Sequence, residues 1–215
     1  DLELPSIEKV GHNFFQENKI LENLSMPRLK TTRNNFLYYN NQMKKLTLES
    51  LVKSGDGFMQ TNTNLLEINL PVVQEMGQQS LENVEDIKTA SFPELRVTNF
   101  NFMHNARKLE SLYVPKLITM GSYSLTYAQK LSELYAPELR EVSSGCLYDN
   151  KELTNLDLPN VEVIKDDVLI FNYKLRSINT PKLHALAPSS LNSVERLDYL
   201  NAPMLHDNRL SKKVY

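Results

Sequence analysis

The sequence has little cysteine, little net charge and no long apolar stretch, and each of these absences argues against a class of protein. Its 215 residues contain a single cysteine, so no disulfide can form within the chain. The formal net charge is only −2, which gives no reason to expect a nucleic acid or an anionic membrane surface as a partner. Because no stretch of about 20 apolar residues is present, the sequence predicts no membrane-spanning helix.

Motifs for catalysis are also missing. The sequence has no glycine-rich phosphate loop, no metalloprotease histidine pair and no nucleophile elbow. His184 and His206 are 22 residues apart, but a metal would need further ligands, and only Asp207 and Glu162 come near in that register. We therefore expect no enzyme, no metal site and no cofactor, and we expect Cys146 to be a small buried hydrophobic residue.

What the sequence does contain is a repeat of 22 residues that runs along the chain without insertion or deletion. An apolar residue opens each repeat, at Leu21, Met43, Leu65, Ile87, Leu109, Leu131, Leu153, Leu175 and Leu197. A second apolar residue fills the fourth position, at Leu2, Leu24, Leu46, Ile68, Ala90, Leu112, Leu134, Leu156, Ile178 and Leu200. A period of roughly 20 to 29 residues with this spacing is typical of leucine-rich repeats.

The middle of each repeat predicts a short β-strand. Positions four and six are mostly apolar, and that alternation has the period of a strand. Proline fills position seven in nine of ten repeats, and because proline cannot donate a hydrogen bond to a sheet, it marks the strand's end. The sequence thus predicts an α/β solenoid, a right-handed superhelix in which about ten short parallel strands form a concave sheet and loops or short helices form the convex side.

Five further positions describe the rest of the coil. Glycine follows position twelve in four repeats, which suits a turn with positive φ. Apolar pairs at positions 16 and 17, such as Phe36 and Leu37, predict a packed convex side. Asparagine at position 20, as in Asn62, is expected to hydrogen-bond free backbone groups at a bend. The mixed charges at position eight are expected to form solvated cross-strand ion pairs.

The runs Val10–Pro27, Met76–Pro93 and Met120–Pro137 carry a resemblance to a known family. Each begins with an apolar residue and glycine and ends with apolar residues at steps of three before a proline. The chain resembles the BspA-like leucine-rich repeats of bacterial surface proteins over nearly its whole length. The resemblance implies a cell-surface or secreted protein that adheres to host matrix proteins or to other cells. The chain departs from this family in two ways: its repeat is shorter, and it has asparagine where the family often has cysteine. The alternative is therefore a more distant leucine-rich solenoid, such as one that resembles the receptor L-domains.

The unbroken period predicts one elongated domain over residues 1–215, with complete repeats from 21 to 196 and partial repeats at both ends. Because the chain begins inside a repeat without a polar cap, we expect a fragment of a longer protein or a processed form. The apolar residues that the outermost coils would expose are Leu2, Leu4, Ile7, Leu200 and Leu205. Such ends would favour end-to-end self-association.

The expected ligand site lies on the concave sheet. Positions three and five point away from the core, so each strand adds one residue to each of two columns. The predicted site comprises Tyr113, Tyr135, Glu133, Asp157, Ser111, Asn155 and Asn179. Two neighbouring tyrosines edged by carboxylates predict a contact patch for a protein segment or a glycan. The alternative is a structural spacer that carries another domain, in which case the tyrosines are ordinary strand residues.

Overall fold

The computed structural model describes residues 1–192, 194 and 196–205, and within these residues it contains sixteen short β-strands and no helix. The strands are Leu2–Glu3 (β1), Asn23–Ser25 (β2), Lys45–Thr47 (β3), Glu67–Asn69 (β4), Glu75–Met76 (β5), Thr89–Ser91 (β6), Val97–Thr98 (β7), Ser111–Tyr113 (β8), Thr119–Met120 (β9), Glu133–Tyr135 (β10), Glu141–Val142 (β11), Asn155–Asp157 (β12), Val163–Ile164 (β13), Ser177–Asn179 (β14), Ala185–Leu186 (β15) and Tyr199–Asn201 (β16). All of their pairings are parallel and join successive coils of a solenoid.

Ten of these strands lie at positions three to five of the repeat, which confirms the predicted number and direction of the strands. Within each ladder, a residue pairs with the residue at the same position of the next repeat, so that Leu24 lies opposite Leu46 and Leu46 lies opposite Ile68. We call the surface formed by the side chains at positions three and five of these strands the strand face. The central residue between them, such as Leu46, points into the core.

The predicted parallel strands are present, but their hydrogen-bonded ladder is interrupted twice. The strands form three sets, β1 to β4, then β6, β8 and β10, then β12, β14 and β16. The central residue of the last strand before each interruption, Ile68 or Leu134, is only partly buried, whereas Leu46 and Leu112 are buried. Those two strands therefore lie less deeply on the core than their neighbours.

A second parallel sheet, which the sequence analysis did not anticipate, lies at positions eleven and twelve. Its six strands follow the order β15, β13, β11, β9, β7, β5. Isolated bridges that join Lys9, Thr31, Lys53 and Glu75 continue the same line toward the first coil. Each of these strands has only two residues, which is too short to show alternation in the sequence. The apolar column at position twelve belongs to this sheet.

Within the described residues no helix forms on the side opposite the strand face, so of the two predicted forms of that side, loops or short helices, the structure has the one without helices. We call positions 14 to 20 of each repeat the back arm. Within it, positions 15, 17 and 19 have positive φ, as in Asn35 (60°), Leu37 (55°) and Tyr39 (59°). The N–H of Leu37 donates to Phe14 O of the preceding coil at 3.0 Å, and that of Tyr39 donates to Gln60 O of the next coil at 2.9 Å. These hydrogen bonds join coils, whereas those of a helix stay within one segment.

The residue types of the back arm fit this backbone. Glycine, asparagine and aspartate tolerate the left-handed region best, and they dominate position 15, as in Asn13, Gly57 and Asp167. Among the described residues, position 17 holds only Leu, Met and Phe, with none of the β-branched residues for which positive φ is most costly. The structure is therefore a parallel β-solenoid whose third side is a hydrogen-bonded arm of alternating backbone conformation.

The core of the solenoid is one cluster of apolar side chains, and the asparagines of position 20 lie within it. Asn62 is fully buried, and its Nδ2 donates to Leu37 O at 2.7 Å and to Met59 O at 2.9 Å. Asn40 and Asn172 make equivalent bonds to the preceding coil at 2.7 Å. The expectation that asparagines at this position satisfy backbone groups at a bend is confirmed for these three, since a buried carbonyl needs such a partner. It is not met at Asn150, which is equally buried but makes no side-chain hydrogen bond.

The glycines that follow position twelve have a different role from the one expected. Gly55, Gly77 and Gly121 do not have positive φ; each instead lies against the backbone of the preceding coil. A Cβ atom on Gly121 would lie 2.4 Å from the carbonyl carbon of Asn99. Gly11, in the first coil, would meet nothing within 4 Å. Close approach of the coils, rather than a turn, therefore selects glycine here.

Many charged side chains form ion pairs with a residue at the same position of the neighbouring coil, 22 residues away. The position-eight pair Lys116 and Glu94 is confirmed, with Nζ 2.7 Å from Oε1. Pairs at other positions also join residues 22 apart, such as Lys44 with Glu22 at 3.0 Å. These side chains are about half exposed, so each pair contributes at most about 1 kcal/mol. Together they favour the native alignment of the coils over a shifted one.

The apolar residues at both ends are less exposed than expected. Leu2, Leu4 and Ile7 at one end, and Leu200 and Leu205 at the other, are partly buried and pack against the core cluster. Self-association through the ends stays a prediction.

Replacing Gly121 with alanine should destabilise the solenoid by about 1–3 kcal/mol, because the new Cβ atom forces two closely packed coils apart. Gly11→Ala is the matched control and should change stability by less than about 0.5 kcal/mol, since it meets no neighbour. Chemical denaturation followed by circular dichroism measures both. Equal midpoints for the two variants would contradict the close-approach explanation.

Candidate functional site

The two tyrosines of the predicted site lie side by side on the strand face. Strands β8 and β10 pair in register, which places Tyr113 directly opposite Tyr135. Their rings are stacked, with centroids 5.1 Å apart and planes within 3° of each other. Tyr113 is 46% exposed and Tyr135 is 53% exposed. The stack therefore presents a large aromatic surface to solvent at a fixed place on the sheet.

The remaining predicted residues fall into two groups. Ser111 and Glu133 are paired in the same sheet as the tyrosines. Asp157 lies in the next set of strands, beyond the ladder interruption between β10 and β12, where its Oδ1 accepts a hydrogen bond from Asn179 Nδ2 at 2.7 Å. Asn155 lies beside Asp157 in β12, and its Nδ2 donates to Thr154 Oγ1 at 3.1 Å. The predicted patch thus spans the interruption.

Two of the four acidic residues of the strand face, Glu133 and Asp157, lie near the tyrosines. Farther along, Glu67 is paired with Lys45 at 2.8 Å, so its charge is largely compensated. Glu133 is exposed, and among the described residues no cation forms an ion pair with it or with Asp157. The region around the stack therefore has a small negative charge that complements a neutral or basic ligand.

A second group of polar and aromatic residues lies on the back arm and at position 21, which follows it, where the sequence analysis predicted no site. A groove of about 490 Å³ is lined by His104, Asn105, Arg107, Tyr127, Gln129 and Asp149. Asn105, Tyr127 and Asp149 are 22 residues apart, and so are Arg107 and Gln129. The signal in the sequence is this pair of columns, at positions 19 and 21 of the repeat.

Burial lowers the pKa of the His104 imidazole, which favours its neutral form, although the carboxylate of Glu82 acts in the opposite direction. Its ring packs edge to face with Tyr127 at 5.5 Å between centroids. Tyr127 in turn contacts Tyr148 at 5.7 Å, and Tyr148 contacts Phe171 at 5.1 Å. We call these four residues the aromatic row, which crosses four successive coils.

Comparison with known families identifies the repeat. A model of the BspA type leucine-rich repeat region, in six copies, matches residues 1–103 and 96–208. The chain belongs to the BspA-type leucine-rich repeat family. A search of curated protein sequences found no match.

Solved structures show the same fold as this BspA-type chain. A leucine-rich repeat protein from Bacteroides ovatus superposes with a TM-score of 0.63 at 14% identity, over 89% of this chain and 60% of that one. The chain thus spans 60% of the length of that protein. A leucine-rich repeat protein from T. pallidum gives a TM-score of 0.61 at 14% identity, over 98% of this chain and 88% of its own. At this identity the likeness concerns the fold alone.

The sequence analysis also considered a metal site and a membrane-spanning helix in this BspA-type chain. Across the described ranges, no three His, Cys, Asp or Glu side chains are grouped closely enough to hold a metal. Of the pair His184 and His206, the second histidine lies outside the described residues, as does Asp207. No described segment is a helix long and apolar enough to cross a bilayer.

Cys146 is fully buried, and the expectation that it packs as a small hydrophobic residue is confirmed. Its Sγ lies 3.0 Å from Gly121 O, and burial raises the pKa of the thiol to about 12. The reactive thiolate is therefore almost absent at neutral pH.

We expect Cys146 in the folded protein to resist a thiol reagent at pH 8, and to react rapidly once denaturant unfolds the coils around it. The unfolding that exposes it restores an ordinary thiol pKa, so the labelling rate should rise with the unfolded fraction. Mass spectrometry of the native and denatured protein measures this. Labelling at comparable rates in both states would show that the coil containing Cys146 opens easily.

Proposed function

We propose that this chain is a non-catalytic binding module of a bacterial surface protein, and that its strand face binds a protein segment through Tyr113 and Tyr135. The observation that carries the proposal is the exposed stack of these two rings, 5.1 Å apart, on a rigid pair of strands. Tyrosine is frequent at the centre of protein interfaces because it buries a large ring and keeps a polar hydroxyl.

The geometry of the stack favours a protein segment over a glycan at this place. Each ring covers one face of the other, so the hydroxyl groups and ring edges form much of the surface that a ligand meets. Glu133 and Asp157 flank that surface with negative charge. A partner segment with basic and apolar side chains would complement both features.

Family membership supports the rest of the proposal. BspA-type repeats are generally scaffolds without catalytic groups, and the family is associated with bacterial surfaces. We infer a cell-surface or secreted location and a role in adhesion to host proteins or other cells. A spacer that only carries another domain remains the second candidate, since the even tiling of the coils also suits a rigid support.

The double variant Tyr113→Ala, Tyr135→Ala should weaken binding to a protein partner at least tenfold, because truncation of a central tyrosine typically costs about 1–2 kcal/mol or more. The assay is surface plasmon resonance against a panel of extracellular matrix proteins. Tyr199→Ala is the matched control, since Tyr199 is also exposed on the strand face but lies two strands beyond Asp157.

The control should bind like the wild type. An unchanged affinity of the double variant for a confirmed partner would move the site away from the tyrosine stack. Absence of binding to any protein in the panel would favour the spacer. Comparison of thermal unfolding midpoints ensures that the variants are equally folded.

A further inference from the structure

The groove on the back arm is as rigidly built as the strand face. The backbone N–H of Asn105 donates to Thr126 O at 2.7 Å, and that of Tyr127 donates to Tyr148 O at 2.9 Å. Asp149 continues the ladder with a bond to Ile170 O at 2.9 Å. Each of these three residues has positive φ, between 56° and 61°. The side chains at position 19 therefore leave the backbone in one fixed direction in successive coils, as recognition by a rigid surface requires.

The polar groups of the groove are held in place, yet retain hydrogen-bonding capacity. The Asp149 side chain is only 14% exposed, and its Oδ2 accepts a hydrogen bond from Gln129 Nε2 at 3.1 Å. Arg107 Nε donates to Asn105 Oδ1 at 2.7 Å. Among the described residues, no hydrogen bond uses Asp149 Oδ1, Gln129 Oε1 or the terminal amino groups of Arg107. The groove thus offers two acceptors and a set of donors across one cavity.

The charge of the groove indicates a neutral ligand. Arg107 is the cation and Asp149 the anion among the lining residues, and burial favours the neutral form of His104. The Nζ of Lys151 also lies 3.6 Å from Asp149 Oδ2. An anionic ligand would meet the Asp149 carboxylate, and a cationic ligand would meet the Arg107 guanidinium. Groups that both donate and accept, such as vicinal hydroxyls, suit this arrangement better than either.

An aromatic ring completes the groove. Tyr127 is 38% exposed and is held by edge-to-face contacts with His104 and Tyr148. An exposed ring beside paired hydrogen-bonding groups can pack against the C–H surface of a sugar ring while those groups bind its hydroxyls. A volume of about 490 Å³ lies within the range of roughly 300–1,000 Å³ found for small-molecule sites.

We propose that this groove is a second binding site, separate from the strand face, that takes a neutral carbohydrate of one or two sugar units. Tyr127 packs against the sugar ring, Asp149 Oδ1 and Gln129 Oε1 accept from its hydroxyls, and Arg107 donates to its oxygen atoms. The aromatic row extends beyond the groove through Tyr148 to Phe171, which would allow a longer glycan chain to continue along the coils.

The test begins with a microarray of neutral and acidic glycans, on which the wild-type chain should retain neutral glycans. The free monosaccharides of those glycans are then titrated by saturation-transfer NMR. Asp149→Asn, which keeps the shape of the side chain, and Tyr127→Ala should each weaken sugar binding at least tenfold. Tyr39→Ala is the matched control, because Tyr39 occupies the same repeat position with the same positive φ but lies outside the groove; its binding should equal that of the wild type.

Three outcomes would overturn the proposal. The first is that no neutral glycan is retained and no monosaccharide gives a saturation-transfer signal. The second is retention of acidic glycans alone, with binding that disappears in salt. The third is neutral glycan binding that survives both Asp149→Asn and Tyr127→Ala. The double variant Tyr113→Ala, Tyr135→Ala should keep its sugar binding in full, so failure of the strand-face proposal and failure of this one give different results.

Discussion

The hydrogen bonds between successive coils are the constraint on which the rest of this structure depends. In a solenoid without helices, the N–H and C=O groups of one coil find their partners on the next, so every coil must keep the same number of residues. The period of 22 therefore controls more than the strands. The buried amide of Asn62 reaches a carbonyl of the preceding coil, Gly121 lies against the backbone of Asn99, and Lys116 meets Glu94 one repeat away. Each of these contacts fails if the register slips by one residue.

The sequence predicted those parts of the fold in which the residue type at one repeat position has a single physical explanation. Proline can occur only where a strand ends, and a buried asparagine must find a backbone partner, so the strands and the role of Asn62 could be foreseen. The second sheet could not, because strands of two residues leave no alternation to detect. The back arm could not either, because apolar pairs such as Phe36 and Leu37 fit a short helix as well as an arm with alternating φ.

The tyrosine stack could be predicted from the sequence, whereas the groove around Tyr127 could not. Tyr113 and Tyr135 were found because strand side chains alternate, which assigns each position to a face. The interruption between β10 and β12, which separates the tyrosines from Asp157, depends on how deeply Leu134 lies on the core and leaves no mark in the sequence. The groove around Tyr127 was missed because its columns have meaning only once the back arm is known to be hydrogen-bonded from coil to coil.

The interruptions of the strand ladder have a mechanical consequence. Hydrogen bonds between coils run along the axis of the solenoid, so a force that pulls the two ends apart acts on them directly. Between β4 and β6, and again between β10 and β12, the strand ladder carries none of this load, which passes through the second sheet, the back arm, the apolar core and side-chain contacts such as Lys108 with Asp86. A stretched molecule would therefore open first at these two joints and separate into three stiff blocks of coils. For a module that tethers a cell under flow, such joints would let the chain lengthen in steps while the tyrosine stack, inside the middle block, stays intact.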